Sequence, residues 1–445
     1  MKEKESKYRL IDKIIIISAI FPYNSFILMT PTDVQPIAVI FILLSVPTLS
    51  LSTSSSITIF LMFCLSVFHI NHSTDILSIG RSIFGYLSAF LIFNYFAYID
   101  QKTILFVIKT IKIAILIYFI SAIINLIFVS VGQEEIFQNL LSLIKSRASV
   151  TVGNRGVSGI LPEPSFMSLT MYLLLLIYLV IEYTSNRNYT QLLQYSFIVL
   201  VSALLTYSGT VLFLIISIFL CYCLTYNTKA ALNMFKTLPF LLLFPLIGLL
   251  SEIVNLGNHS DLDTRFGDIV NKIMGGGLSS LLEDASIFDR FWAFYAPFTS
   301  LFKHDVTGYG TSGWSSFMNS SEIAQDIIYS IGIQNNVDSY VSTSRLMNLF
   351  GNYIVDFGWI GVFAIVFFLI SIKSEISKSY PPSSLKLKNF AFLNTILICL
   401  QAIPVAHPLP WVLFGLLVNS NRKVSNEIIV RVPDKEPILL SDYQE

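Results

Sequence analysis

The sequence predicts an all-α, polytopic transmembrane helical bundle of about 12 spans with one large external loop domain. Three observations predict it. Hydrophobic residues make up 54% of the 445 and charged residues only 13%, roughly half the charged share of a soluble domain. Apolar runs close to the ~20 residues that cross a bilayer recur along the chain. Two longer segments, 132–165 and 251–353, interrupt that pattern and carry much of the polar chemistry.

In chain order the candidate spans are 14–30, 36–51, 57–70, 79–99, 104–131, 166–183, 192–207, 210–226, 232–250, 354–372, 390–406 and 408–418. These divide the chain into an N-terminal bundle (1–250, with the short external segment 132–165), an external domain (251–353), C-terminal helices (354–420) and a polar tail (421–445). Lys2, Lys4, Lys7, Arg9 and Lys13 precede the first run as in a signal peptide, but no small-residue cleavage pattern follows, so a retained span is expected. An even number of spans puts both termini on one side. Short connections holding Lys102, Arg187, Lys229, Lys373, Lys378, Lys386, Lys388, Arg422 and Lys423 fall on that side, whereas 31–35 and 71–75 hold no Lys or Arg. Positive residues stay in the cytoplasm, so both termini are expected there and the long segments outside.

Within 132–165, Glu134, Glu135, Ile136, Leu140, Leu143, Ile144, Lys145 and Arg147 have the spacing of a short amphipathic helix with acids first and bases last, suited to the membrane face. A loop rich in Gly and Pro follows, 153–165, which delivers Arg155 and Glu163 to the mouth of the next span. In the external domain, Phe291, Phe294, Tyr295, Phe298 and Phe302 form a helical stripe expected to meet the core or the membrane, with Arg290 beyond its edge. Gly308, Tyr309 and Gly310 open a loop whose backbone N–H groups could approach an anion or a sugar. Ile323, Ile327, Ile328 and Ile331 predict one more small helix.

Five outer arginines, Arg147, Arg155, Arg265, Arg290 and Arg345, are joined by Arg81 at the outer end of the fourth candidate span. The guanidinium is a rigid fork for phosphate or carboxylate; anchoring to lipid headgroups is the plainer alternative. The four cysteines, Cys64, Cys221, Cys223 and Cys399, lie in apolar runs and support neither disulfides nor a zinc site. Net charge is +0, which gives no basic face for nucleic acid. No Walker motif, HExxH or buried acid pair is present, which counts against an ATP-driven pump, a zinc hydrolase and a proton-coupled transporter. His407, at an outer turn, is either a general base or a passive polar group.

Three segments carry a resemblance. Arg155-Gly-Val-Ser-Gly-Ile-Leu-Pro-Glu-Pro-Ser-Phe166, Asp289-Arg290-Phe-Trp with Gly308-Tyr-Gly310, and Asn348-Leu-Phe-Gly-Asn-Tyr-Ile-Val-Asp-Phe-Gly358-Trp-Ile-Gly361 are similar to segments of the Wzy-type O-antigen and oligosaccharide repeat-unit polymerases and their relatives, the O-antigen ligases. The Trp follows Arg290 sooner than in that family. Met347 stands beside Asn348 where the ligases place a His, which favours the polymerases. The resemblance implies a bacterial cytoplasmic-membrane glycosyltransferase without a cofactor or a metal site. It would move a glycan from undecaprenyl pyrophosphate to another lipid-linked repeat unit for O-antigen, capsule or exopolysaccharide. It further implies catalytic Arg155, Arg290 and Glu163, and substrate contacts from Arg81, Arg265, Arg345, Gly308, Tyr309, Gly310, Asn348 and His407. Membrane lipids, a flippase and a chain-length regulator would be its partners. A ligase and a polysaccharide transporter are the alternatives; concentration of polar residues in the outer loops favours an enzyme.

Overall fold

Long apolar runs without internal Pro leave the backbone one way to satisfy its hydrogen bonds away from water, the helix. The computed structural model of the chain describes residues 2–24, 34–45, 51–71, 75–142, 156–183, 189–206, 208–226, 285–303, 306–320, 346–379, 382–400 and 403–419. Among these no strand occurs. The helices are α1 (Lys2–Ile20), α2 (Ile37–Ser45), α3 (Ser54–Phe68), α4 (Ile76–Tyr98), α5 (Gln101–Ser130), α6 (Glu134–Ser142), α7 (Pro164–Tyr178, continued by a π turn Leu179–Tyr183), α8 (Tyr189–Leu205), α9 (Gly209–Tyr226), α10 (Ala285–Lys303), α11 (Trp314–Ser320), α12 (Leu349–Ser379), α13 (Pro382–Cys399) and α14 (Pro408–Val418). Candidate span 232–250, the helix expected over 321–333 and the tail from 421 lie outside the described residues.

Four described helices are long and apolar enough to cross a membrane: Ile76–Tyr98, Gln101–Ser130, Pro164–Ile181 and Leu349–Lys378. Their outward faces agree with that environment. Leu105, Ile113, Ile120 and Ile127 on α5, and Phe363, Phe367 and Ile370 on α12, are exposed. Such continuous apolar surface is stable against lipid rather than water. These helices are those of a membrane-embedded protein.

Helix direction follows from the pairs at each end. Tyr95 on α4 donates to Asp12 on α1 at 2.7 Å, and Tyr98 meets Ser52, just before α3, at 2.8 Å. Ser55, at the start of α3, donates to Glu375 late in α12 at 2.7 Å. At the opposite end Tyr118 of α5 donates to the Ile20 carbonyl closing α1 at 3.2 Å. A Cβ on Gly85 would touch Ala406 just before α14, and one on Gly415 would meet the Phe93 carbonyl at 2.6 Å. Thus α1, α3 and α5 run one way, and α4, α7, α12 and α14 the other. The end where α4, α7, α12 and α14 begin is called the loop end below.

Two helices form the centre. Every residue of α7 except Ser165 is buried, and every residue of α14 is buried, as an all-round apolar helix requires. Each starts with a Pro in its first turn, where the absent N–H costs nothing.

On two helices the structure shows which stripe faces the protein. On α6 the residues facing the protein are Phe137 and Leu141, with Phe137 stacked on Phe128, while Ile136 and Leu140 are exposed. On α10 the buried face is Trp292, Ala296 and Ser300, and Phe294, Tyr295, Phe298 and Phe302 point outward. In both cases the protein took the neighbouring stripe of the helix and left the aliphatic or aromatic one facing away.

Candidate functional site

Three irregular segments sit at the loop end, set into the bundle beside helical turns rather than above them. The first is 156–163. Val157 N–H donates to the Leu205 carbonyl at 3.0 Å. Ser158 and Gly159 N–H donate to Asn125 Oδ1 at 3.1 and 3.3 Å, and Ile160 N–H to Ser121 Oγ at 3.3 Å. Ser121 lies nine residues before the end of α5, so the loop dips roughly 13 Å below that helix end. Two glycines permit this approach: a Cβ on Gly156 would come within 2.2 Å of Thr206 backbone, and one on Gly159, at φ +55°, within 2.5 Å of Ser121 Oγ. The loop ends at Glu163, which precedes Pro164 with an extended backbone and makes no side-chain cap bond to α7. Among the described residues its half-buried carboxylate accepts only from Ser165 Oγ, at 3.4 Å.

The second segment is 403–407. Ala406 packs on Gly85 of α4, and Trp411 Nε1 donates back to the Val405 carbonyl at 2.9 Å. His407 caps α14, its Nδ1 accepting from Leu409 N–H at 3.3 Å. The ring is buried, which pulls its pKa down to about 3, and its Nε2 has no hydrogen-bond partner. Tyr23, beyond the end of α1, joins this segment to the first: its ring centroid lies 5.4 Å from that of His407 and 5.2 Å from that of Phe166. Glu163 and His407 therefore precede two central helices whose first turns both pack on one tyrosine, through Phe166 and through His407 itself.

The third is 306–313, and it depends on a break in α12. Gly358 has φ 55° and ψ −135°, so the carbonyls of Val355 and Asp356 and the N–H of Trp359 lose their helical partners. The loop supplies them. Tyr309 and Gly310 N–H donate to the Val355 and Asp356 carbonyls at 3.0 and 2.9 Å, and Trp359 N–H donates to the Val306 carbonyl at 3.0 Å. In apolar surroundings each such group left unmet costs several kcal/mol. Gly308 meets Gly358 closely, a Cβ there coming within 2.4 Å of the Gly358 nitrogen. Thr311 ties the loop to α3, its N–H donating to the His69 carbonyl at 2.7 Å and its Oγ1 to the Ser66 carbonyl at 2.7 Å. Asp356, 3% exposed, accepts from Tyr86 Oη at 2.6 Å, Gly313 N–H at 2.9 Å and Ser312 N–H at 3.3 Å. Tyr86 and Gly85 are consecutive on α4, so the second and third segments rest on adjacent residues. Tyr309 is half-buried, edge-on to Phe317, and burial raises its phenol above the ordinary range.

The sequence-selected residues are distributed as follows. Glu163, His407, Gly308, Tyr309 and Gly310 all lie at the loop end. Arg81 is exposed, four residues before Gly85 on α4 and hence on the same helix face, one turn outward. Asn348 is fully buried; its Nδ2 donates to the Ala293 carbonyl at 2.9 Å and its Oδ1 accepts from Gly351 N–H at 2.7 Å, which fastens α10 to the start of α12. The backbone of Arg290 lies in α10, its side chain outside the described set, and Arg155, Arg265 and Arg345 lie outside the described residues. The N–H groups of 309–311 and 313 are bonded within the protein, so the glycines of this loop serve its seating on α12.

Sequence reasoning passed over Asp356, Tyr86 and Asn24. An acid inside an apolar helix, two residues before a glycine, is the signal that marks Asp356. Asn24, 2% exposed with both side-chain atoms unpartnered, has no local signature. Among the described residues no group of three or more His, Cys, Asp and Glu side chains could hold a metal ion. No protein-family model matches the chain, and no curated protein matches it.

Proposed function

We propose that the chain is a glycosyltransferase of the bacterial cytoplasmic membrane that polymerises lipid-linked oligosaccharide repeat units at its loop end. In this reading about twelve helices cross the bilayer, both termini are cytoplasmic, and the loop end faces outward. The observation that carries it is the contrast between the two central apolar helices and what precedes them. Both start side by side beneath shaped loops, and Glu163 and His407 stand at those starts with capacity not spent on the fold. The resemblance of 155–166, 289–310 and 348–361 to repeat-unit polymerases points to the same chemistry.

The leaving group would be a pyrophosphate, already a stabilised anion, so catalysis needs cationic donors around it more than a strong acid. Arg155 and Arg290 are proposed for that task, and Arg81, Arg265 and Arg345 for guiding the anionic lipid to them. The bond from the sugar anomeric carbon to the diphosphate oxygen breaks as an acceptor hydroxyl adds to that carbon. The hydroxyl proton must go to a base. His407 is unsuited, because a neutral ring whose Nδ1 accepts Leu409 N–H carries its proton on Nε2. Glu163 is the acceptor we assign.

The test is chain length in cells. Arg290→Lys, Arg155→Lys and Glu163→Gln should each leave surface glycan at single repeat units while unpolymerised precursor still reaches the outer face. Precursor held on the inner face would point instead to transport, and normal chain length in all three variants would overturn the site.

A further inference from the structure

The aromatic stripe that α10 turns outward is used by none of the chemistry proposed above, and the contacts around it fix its height. Asn348 Nδ2, just before α12, donates to the Ala293 carbonyl at 2.9 Å. One turn on, a Cβ on Gly351 would come within 2.7 Å of Pro297 Cγ. Past the end of α10 the Val306 carbonyl accepts from Trp359 N–H at 3.0 Å. The three contacts advance together, so α10 runs beside the first turns of α12 in the same direction. It leads to the level of Gly358, roughly 13 Å past the first residue of α12. Helix α4 gives a similar level independently: Tyr86, bonded to Asp356 at 2.6 Å, lies five residues past Arg81, roughly 8 Å along the helix. The chain then turns back, because Phe317 and Met318 of α11 pack with Trp292 and Leu346.

That level lies within the apolar part of α12. Between Leu349 and Lys373 its sequence holds one charged residue, Asp356, which is buried. On α10, Phe294, Tyr295, Phe298 and Phe302 are exposed, Phe302 at 83%, and no described side chain of this helix is charged. The apolar surface continues onto α12. Val306 is exposed and bonded to Trp359, whose ring lies 6.3 Å from that of Phe363, the first of the exposed row Phe363, Phe367 and Ile370. Order along α10 suits a bilayer too: Tyr295, whose hydroxyl belongs at headgroup level, precedes Phe298 and Phe302, which carry no polar side-chain atom. Irregular backbone at membrane depth must find its bonds within the protein, and Tyr309, Gly310, Thr311 and Gly313 N–H all do. Lys303, His304 and Asp305 follow Phe302 in the sequence and set a limit. Polar side chains reach the headgroups only from shallow depth, so the descent ends in the nearer leaflet.

We propose that the C-terminal half of α10 is a re-entrant half-helix, sunk into the leaflet at the loop end with Phe294, Phe298 and Phe302 against lipid acyl chains. The loop 306–313 is its turn, seated on α12 and α3, and α11 is the return toward the surface. This part of the segment 251–353 thus belongs to the membrane. The insertion does not depend on what the loop end catalyses. In the polymerase reading it also sets the height of Arg290, whose backbone is twelve residues, roughly 18 Å, back along α10 from Phe302 and so near the outer edge of the headgroup layer.

Nitroxide labels read the depth. Full-length protein in lipid nanodiscs, with its 4 native cysteines replaced, would carry one label at a time at Phe294→Cys, Phe298→Cys or Phe302→Cys. Phe363→Cys is the lipid-facing reference, and Gln133→Cys, exposed beyond the end of α5, the water-facing one. Collisions with oxygen, which concentrates in hydrocarbon, are compared with collisions with a water-soluble nickel chelate. At Phe298→Cys and Phe302→Cys the oxygen-to-nickel ratio should match Phe363→Cys and stand several-fold above Gln133→Cys, and it should rise from 294 to 302. Ratios equal to that of Gln133→Cys would place the stripe in water and overturn the proposal. So would few collisions with either reagent, the mark of a face covered by a second copy or by another part of the chain. The unmodified protein answers without any variant: a phosphatidylcholine with a diazirine in its acyl chain should photolabel 294–302 as it labels 363–370, and labelling of 363–370 alone would equally overturn the insertion. Normal glycan length in Arg290→Lys would count against the polymerase reading and leave the insertion standing.

Discussion

Asp356 holds the third segment in place, and its removal has a calculable cost. It accepts three hydrogen bonds, from Tyr86 Oη, Gly313 N–H and Ser312 N–H. Tyr86 is 2% exposed and Gly313 is buried, so Asp356→Ala strands at least two buried donors. At about 1–3 kcal/mol for each, the loss is roughly 2–6 kcal/mol, plus a smaller cavity contribution. Asp356→Asn keeps one carbonyl oxygen in place but turns an N–H₂ toward groups that donate, and should cost about 1–2 kcal/mol. Tyr86→Phe removes one donor cleanly. The double variant Tyr86→Phe with Asp356→Ala should then cost less than the sum of the singles by about 1–3 kcal/mol, because the stranded phenol is already gone. Unfolding in mixed micelles gives these values. Hydrogen exchange at Tyr309, Gly310, Thr311 and Gly313 shows where the loss falls: in Asp356→Ala these amides should exchange faster while those of α5 stay protected. Additive single and double costs, with unchanged exchange in 309–313, would refute the view that Asp356 fastens this loop.

Gly308→Ala should release the same loop by another route, since a Cβ there meets the Gly358 nitrogen at 2.4 Å and the backbone has φ +75°; a loss of protection at Tyr309 equal to that of Asp356→Ala is expected. Glu375→Ala should destabilise the opposite end by about 1–2 kcal/mol, since Glu375 accepts from Ser55 N–H and Oγ at the start of α3 and favours that helix N-terminus; mixed-micelle unfolding checks it. His407 gives stability a pH dependence. Its pKa is about 3 folded and about 6.5 unfolded, so below pH 6.5 only the unfolded chain takes up the proton and stability falls as pH falls. At pH 5 the loss is about 2 kcal/mol, and His407→Gln should lose most of that dependence in unfolding measured from pH 8 to 5.

The helices that read most plainly from sequence are those whose apolar runs are long and unbroken. The expectations 79–99 and 104–131 fall within a few residues of Ile76–Tyr98 and Gln101–Ser130. Extra length appears where a polar residue hides a helix end: α12 runs to Ser379 because Lys373 and Glu375 find partners in Asn389 and α3, where hydropathy alone stops at 372. Which stripe of α6 and α10 turns inward was not legible, because Phe137 and Trp292 compete with equally apolar neighbours and the choice depends on what they meet. The two proline starts were legible. Glu163-Pro164 and His407-Pro408 each mark the beginning of a central helix, a signal that local chemistry supplies without tertiary knowledge.

The loop glycines show why a local motif can mislead about chemistry. Gly308, Tyr309 and Gly310 have the composition of a backbone cradle for an anion, and spacing alone cannot say where the N–H groups go. In the folded chain two of them go to carbonyls freed by Gly358, a residue some fifty positions later. Both the broken helix and the glycine loop are poor structures in isolation: one has orphaned carbonyls, the other N–H groups with no regular partner. Each removes the other's deficit, and Asp356 beside the break secures the joint from the side-chain face. The pattern visible in sequence was therefore the pair, a glycine-rich loop followed by Asp-Phe-Gly in an apolar run, and neither half announces its role alone. The same logic separates the unspent groups of the loop end from the spent ones. Asp356 and Asn348 have their bonds filled by the fold and act as fasteners, whereas among the described residues His407 Nε2 and Asn24 remain open and Glu163 holds only a single long contact. A group whose bonds the fold has filled can only hold the scaffold, and one with capacity left is free to do more.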